Sequence, residues 1–213
     1  MSDSSELRKA RILMLMEGLE AAGITPIQSA QLHAIAYLAN VLSPIWDMPP
    51  HKRAVVHKES GPYFPELQTD VDHLVGKGIV GVSNLKYRKE SDGRWRVSGL
   101  FFLADFDASR SITKSIRRFT DEEKLHAFYR ELAFAFAAIP KEVRGKAVAE
   151  DAVYDVDVGE DVIIDFAQWK QENFSENAAR YFDHVMPDGR PATAAQKLHL
   201  YAWHLKRRLA ADG

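Results

Sequence analysis

The stretch PELQTDVDHLVGKGIVGVSNLKY, residues 65–87, decides the predicted fold. From Leu67 onward its apolar residues recur at intervals of three and four, which predicts a short helix that the following glycines end. The remaining IVGVSNLKY is typical of a β-strand. The stretch RWRVSGLFFLA (94–104) follows it after an Asp-Gly turn signal, so the two strands predict a β-hairpin. A short helix leading directly into a hairpin is the centre of a winged helix.

Two further helices are predicted ahead of this centre. The first covers residues 6–22, and Gly23 stands where a left-handed helix cap belongs. The second follows at once, because Thr25 and Pro26 supply a cap residue and a proline at the first helical position. Its apolar residues recur at helical spacing until Pro44 stops them. Three helices and a hairpin wing therefore fill the first half of the chain.

The second half of the chain is predicted to be helical. Thr120 and Glu123 form a capping-box pattern ahead of a strongly amphipathic helix that ends at Pro140. Two more helices close the chain. We therefore predict an α+β fold, mostly α, with a winged-helix domain over residues 1–106 and a helical subdomain packed on it over residues 107–213.

An acidic tract, EDAVYDVDVGEDVIID (150–165), contains seven acidic residues and no basic one. A short strand is predicted within it, at 153–158 or at 162–165. Asp155 and Asp157 could contribute to a divalent cation site, but the order of residues does not match an EF-hand loop. A solvated loop, or one that faces a basic partner, is therefore favoured, with these aspartates as candidate partner contacts.

The composition narrows the possible functions. Lys and Arg total 28 against 30 Asp and Glu, a net charge of −2, so any affinity for nucleic acid must be local. The chain has no cysteine, which excludes disulfides and thiolate chemistry. It contains none of the hydrolase, metalloprotease, Walker or dinucleotide motifs, so we predict no enzymatic activity and no cofactor. Without a signal-peptide or membrane-span pattern, a cytoplasmic protein with no membrane partner is expected.

Opposite charges are predicted for the third helix and the wing. The helix carries three carboxylates that the phosphate backbone would repel, so base reading by this helix is not expected, and they are candidate partner contacts instead: Glu66, Asp70 and Asp72. The wing carries five cations that are candidate DNA-phosphate contacts: Lys86, Arg88, Lys89, Arg94 and Arg96. A second basic stretch follows at Arg110, Lys114, Arg117 and Arg118. Plain surface solubility, with pairing to the acidic tract, is the competing explanation.

Three segments carry a family resemblance: ARILMLMEGLEAAGITPIQSAQLHAIAYLANVLSPIWDMPP (10–50), GPYFPELQTDVDHLVGKGIVGV (61–82) and VIIDF (162–166). Together they resemble the middle component of bacterial ABC-three-component systems, the group that includes the small accessory subunit of Lamassu-type antiphage defence. The resemblance implies a non-catalytic subunit associated with an SMC-like, Rad50-like ABC ATPase and an effector, often a nuclease. Such a subunit would bridge or restrain these partners, and it would contact double-stranded DNA through the complex.

Two other functions stay open at this point. A stand-alone winged-helix transcription regulator would explain the first half of the chain, but it requires sequence-specific DNA binding, which the acidic third helix disfavours. A metal-dependent enzyme rests on the acidic tract alone. The accessory subunit is the leading hypothesis because the family resemblance implies it and the missing catalytic motifs agree with it.

Overall fold

The computed structural model describes residues 5–50, 54–56, 61–89, 93, 95–144, 163–165, 177, 180–183 and 190–211. Helices predominate among these residues, and the strands form a three-stranded and a two-stranded sheet. The predicted class, α+β and mostly α, is therefore confirmed.

The chain divides into two compact units, each built from two stretches of sequence. The first unit comprises Met1–Leu32 and Pro65–Arg130, and the second comprises His33–Phe64 and Glu131–Gly213. This division differs from the predicted boundary at residue 106. The residues just before the third helix belong to the second unit, and those just after the hairpin belong to the first.

The first helix, α1 (Ser5–Ala21), is the centre of the first unit. Its residues Leu13, Met16 and Leu19 are fully buried. The helix contacts two other helices, Pro65–Gly76 and Phe106–Ile116, and the strand Trp95–Leu103. The helix ends as predicted, because Gly23 adopts a left-handed φ of 70°. Its N–H donates to the carbonyl of Glu20 at 3.0 Å and closes the last turn.

The second helix, α2 (Ser29–Leu42), begins three residues later than its proline predicted. Ile27–Gln28 instead form a two-residue strand, β1, whose residue Ile27 pairs with Phe101 of the hairpin. Ile27 is 1% exposed, so this segment gains both hydrogen bonds to the sheet and burial of an apolar side chain. The predicted helix start is therefore wrong, since Thr25 and Pro26 lead into a strand.

The segment that decided the prediction forms α3 (Pro65–Gly76) and then β3 (Val80–Lys89), which pairs antiparallel with β4 (Trp95–Leu103). The predicted helix and hairpin are both confirmed. The sheet order is β1-β4-β3, and a register shift between Ser83 and Lys86 interrupts the ladder. The outer part of the hairpin, residues 84–98, is called the wing below.

Two helices follow the hairpin. Helix α4 (Phe106–Ile116) is capped by Asp105, whose carboxylate accepts a hydrogen bond from the N–H of Ala108 at 2.9 Å. Helix α5 (Thr120–Ala137) begins at the predicted capping-box threonine. Both α3 and α4 contact α1, so the first unit surrounds that helix.

The second unit contains a small sheet and the last helix. Strand β2 (Ala54–Val56) pairs antiparallel with β5 (Ile163–Asp165), which confirms the second of the two alternatives for a strand in the acidic tract. Helix α6 (Ala194–Ala211) contacts a 3-10 turn at Ser43–Trp46. Residues 180–183 are also helical.

Candidate nucleic-acid interface

Four of the five predicted phosphate contacts lie in the described part of the wing. Lys86 and Lys89 have exposed side chains, and the register of the hairpin sets Arg88 directly opposite Arg96. Arg94 lies outside the described residues. Because successive residues of a strand alternate between two faces, Lys86, Arg88 and Arg96 share one face of the ladder, while Lys89 belongs to the other.

Sequence reasoning did not single out the apolar residues of the wing. Leu85 is 52% exposed and Tyr87 is 66% exposed, so the wing also presents large apolar side chains to solvent. The wing thus combines cations with an exposed aromatic ring.

Asp70 of α3 does not face solvent. Its side chain is 1% exposed, and its Oδ2 lies 2.8 Å from Nε of Arg8 on α1. The hydroxyl of Ser5 also donates to its Oδ1 at 3.3 Å. This placement corrects the prediction that Asp70 is a partner contact, because the carboxylate joins α3 to α1 inside the first unit. The helical spacing of its neighbours did not reveal this role.

The other acidic candidates have different positions. Glu66 and Asp72 are exposed on α3. Glu66 lies 3.9 Å from Nε of Arg8, and Asp72 accepts a hydrogen bond from the side chain of Gln68 at 2.8 Å. Both carboxylates remain accessible to another molecule. Asp155 and Asp157 lie outside the described residues.

The second basic stretch lines an open cleft of about 710 Å³ between α1, α4 and the start of α5. Gly18 and Ala21 of α1 form part of one wall, and Phe106 of α4 forms part of another. All four cations of the predicted stretch contribute, together with one from α5: Arg110, Lys114, Arg117, Arg118 and Arg130. The fold therefore brings into one cleft the basic residues that appear in the sequence only as a consecutive basic stretch.

Three carboxylates also line the cleft, and each has a partner inside the first unit. Glu17 accepts hydrogen bonds from the hydroxyls of Ser109, at 2.8 Å, and Thr113, at 3.0 Å. Glu20 accepts a hydrogen bond from the hydroxyl of Thr25. The acidic groups are thus already engaged within the protein.

The third carboxylate, that of Glu123, pairs with Arg117. Nε and one terminal nitrogen of the guanidinium donate to its two oxygens at 2.7 and 2.8 Å. This two-point hydrogen bonding lowers the pKa of Glu123 and raises the pKa of Arg117. Burial, and then the positive charge of Arg117, lower the pKa of nearby His126, so its imidazole is neutral at pH 7.

Two cations of the cleft have no carboxylate partner in the part of the chain that the structure describes. Lys114 and Arg118 are exposed and form no ion pair there. The guanidinium of Arg110 lies 5.6 Å above the ring of Phe106, a cation–π distance. The cleft wall formed by α4 and the turn after it therefore carries positive charge that no carboxylate in the described part of the chain pairs with.

The spacing of residues in the sequence contains a signal for this cleft that a count of charges does not detect. Phe106, Arg110 and Lys114 stand at intervals of four, which places them along one face of α4, and Arg118 continues the spacing into the turn after the helix. The contributions of Glu17 and His126 could not be anticipated, because they come from helices distant in sequence whose packing brings them to the same cleft.

Other classes of site were also sought in the structure. Among the described residues, no three His, Asp or Glu side chains converge to hold a metal ion. Within the same residues, no helix is both long and apolar enough to cross a membrane. Charge and shape therefore define the candidate sites, which are the wing, the exposed acidic face of α3 and the cleft. Comparisons with protein-family models, with curated proteins and with solved structures give no match to the chain.

Proposed function

We propose that this protein is a non-catalytic accessory subunit of a bacterial antiphage defence complex. It would bridge or restrain an SMC-like, Rad50-like ABC ATPase and a nuclease-type effector. The wing would assist by lying on DNA phosphates without reading sequence. The observation that carries this proposal is the pair of exposed carboxylates on α3, Glu66 and Asp72, in a unit whose wing is basic.

A winged helix built around the first unit is part of the proposal. The chain order α1, β1, α2, α3, β3, β4 and the sheet order β1-β4-β3 support it, with residues 33–42 of α2 belonging to the second unit. In this arrangement α3 occupies the position of the helix that would enter a DNA groove. The side chains that α3 exposes therefore indicate whether the first unit binds DNA or another protein through this helix.

The exposed chemistry of α3 favours a protein partner. A helix that enters the major groove needs donors for base edges and phosphates, whereas Glu66 and Asp72 offer only acceptors. Opposite charges across an interface favour association with a basic protein surface and disfavour wrong partners. The acidic face of α3 is thus suited to a basic surface on the ATPase or the effector.

The topology also supports the second candidate, a stand-alone winged-helix regulator of transcription. A regulator must bind one duplex sequence more tightly than a random one, because base contacts supply that difference. Competition between a specific and a random duplex distinguishes the candidates. Equal competition favours the accessory subunit, and a preference of several orders of magnitude favours the regulator.

Co-expression with the products of the neighbouring genes, followed by size-exclusion chromatography and mass analysis, tests the proposal. We expect co-elution with a large ATPase. The double variant Glu66→Lys, Asp72→Lys should elute separately from it, while the control Glu142→Lys, which changes an exposed carboxylate of the second unit, should still co-elute. Elution of the wild-type chain alone would reject the accessory role.

A further inference from the structure

We propose that the cleft between α1, α4 and the start of α5 binds single-stranded nucleic acid. The proposal concerns a surface separate from the wing and does not depend on a partner protein. It rests on three features of the cleft: a row of cations, an aromatic ring in one wall and a concave shape.

Three exposed cations of the cleft form a row. Arg110 and Lys114 lie on α4, and Arg118 lies in the turn that follows the helix. At 1.5 Å per helical residue, Arg110 and Lys114 are roughly 6 Å apart along the helix axis. Like charges at this spacing destabilise a helix that has no counter-charge. An extended polyanion supplies negative charge along the whole row, whereas a single small anion would reach only part of it.

The cleft does not supply the missing negative charge. Its five basic and three acidic side chains leave a net charge of +2. The acidic ones are occupied, since Glu17 and Glu20 accept hydroxyl hydrogen bonds and Glu123 is held by Arg117. The neutral imidazole of His126 adds no charge at pH 7. Phosphates entering the cleft therefore meet cations whose charge is only partly balanced.

One aromatic ring lines the cleft, and a second one is exposed next to it in the chain. Phe106 lines the cleft four residues before Arg110. Phe119 is not part of the lining, but it directly follows Arg118 and is 68% exposed. Proteins that bind single strands without sequence preference combine a cationic groove with aromatic rings on which bases stack. Such stacking needs unpaired bases, which a duplex keeps in its interior.

The shape of the cleft also favours a single strand. A volume of about 710 Å³ is in the range of sites that enclose a small ligand or a short segment of a larger one. The convex double backbone of a duplex does not present one strand with its bases to a concave wall. The wing, by contrast, is a two-stranded hairpin with exposed lysines, which suits the outside of a duplex.

Fluorescence anisotropy of the full chain with labelled oligo-deoxythymidylate and oligo-uridylate tests the proposal. We expect both single strands to bind, and Lys114→Gln, Arg118→Gln to weaken binding at least tenfold. Loss of two phosphate contacts should also reduce the slope of log affinity against log salt by about 1.4. Phe119→Ala should weaken binding about tenfold through lost stacking. The matched control Lys141→Gln, Lys206→Gln neutralises two exposed lysines of the second unit and should change neither value.

Two competitors identify the bound species. A random duplex and a nucleoside triphosphate should each displace the labelled strand only at concentrations at least tenfold higher than an unlabelled single strand. The proposal would be overturned if either competitor displaced the labelled strand as well as an unlabelled single strand does. It would also be overturned if Lys114→Gln, Arg118→Gln kept the wild-type affinity while showing a native circular dichroism spectrum. Glutamine removes the positive charge while keeping a polar side chain and adding no negative charge, and both positions are exposed, so these variants should fold. Co-elution with the ATPase is scored separately, so its failure and the failure of single-strand binding are distinct results.

Discussion

A single carboxylate on α3 shows how burial determines the role of a residue. Asp70 and Asp72 are two residues apart, yet Asp72 is exposed and Asp70 is enclosed with Arg8. The same helix α1 holds α5 through Arg11, one terminal nitrogen of which lies 2.5 Å from Glu122. Ion pairs thus join α1 to two neighbouring helices, α3 and α5. Removing either pair should lower the free energy of unfolding of the first unit.

Asp70→Ala should lower the free energy of unfolding by about 2–3 kcal/mol, because it leaves the guanidinium of Arg8 largely buried without its carboxylate. The control Asp72→Ala removes an exposed carboxylate from the same helix and should change stability by less than about 0.5 kcal/mol. Urea unfolding followed by circular dichroism measures both. Equal stability of the two variants would show that Asp70 does not join α3 to α1.

At the scale of elements, α1 and α5 approach each other closely at a glycine. A Cβ added to Gly18 would lie 3.1 Å from the carbonyl oxygen of Tyr129 and 3.3 Å from Cα of Arg130. These are backbone atoms of α5, so they cannot yield by rotating a side chain. The close approach also sets the width of the neighbouring cleft, since Gly18 and Arg130 both line it.

Gly18→Ala should destabilise the protein by about 1 kcal/mol. The overpacking cost of about 1–3 kcal/mol outweighs the gain in helix propensity of about 1 kcal/mol. The control is Gly76→Ala at the end of α3, where an added Cβ has nothing within 4 Å. That variant should be neutral or slightly stabilised. Thermal unfolding of both variants measures the contrast, and stabilisation of Gly18→Ala would mean that α5 can move away.

Elements with strong local signals could be predicted from sequence. The apolar spacing of α3 and the turn signal of the hairpin depend on neighbours in the chain, and both elements are found where they were expected. Ile27–Gln28 was missed because its strand exists only through pairing with β4, far along the sequence. The cleft was missed for a related reason, since Glu17, Arg110 and His126 meet only through the packing of three helices.

At the scale of the whole molecule, the net charge of −2 hides an uneven distribution. The exposed face of α3 is acidic, while the wing and the α4 wall of the cleft are basic. A protein with little net charge gains no long-range attraction to DNA as a whole, so contact depends on local cations and is sensitive to salt. Each basic surface should therefore have its own measurable share of nucleic-acid affinity.

Neutralising the wing should weaken duplex binding and leave single-strand binding unchanged. Lys86 and Arg88 share one face of the hairpin, so Lys86→Gln, Arg88→Gln removes two candidate phosphate contacts. The slope of log affinity against log salt for a random duplex should fall by about 1.8, while Lys141→Gln, Lys206→Gln should leave it unchanged. Anisotropy titrations at several salt concentrations measure these slopes. An unchanged duplex slope in the wing variant would remove the wing from the DNA interface, because phosphate contacts release counterions whatever the base sequence.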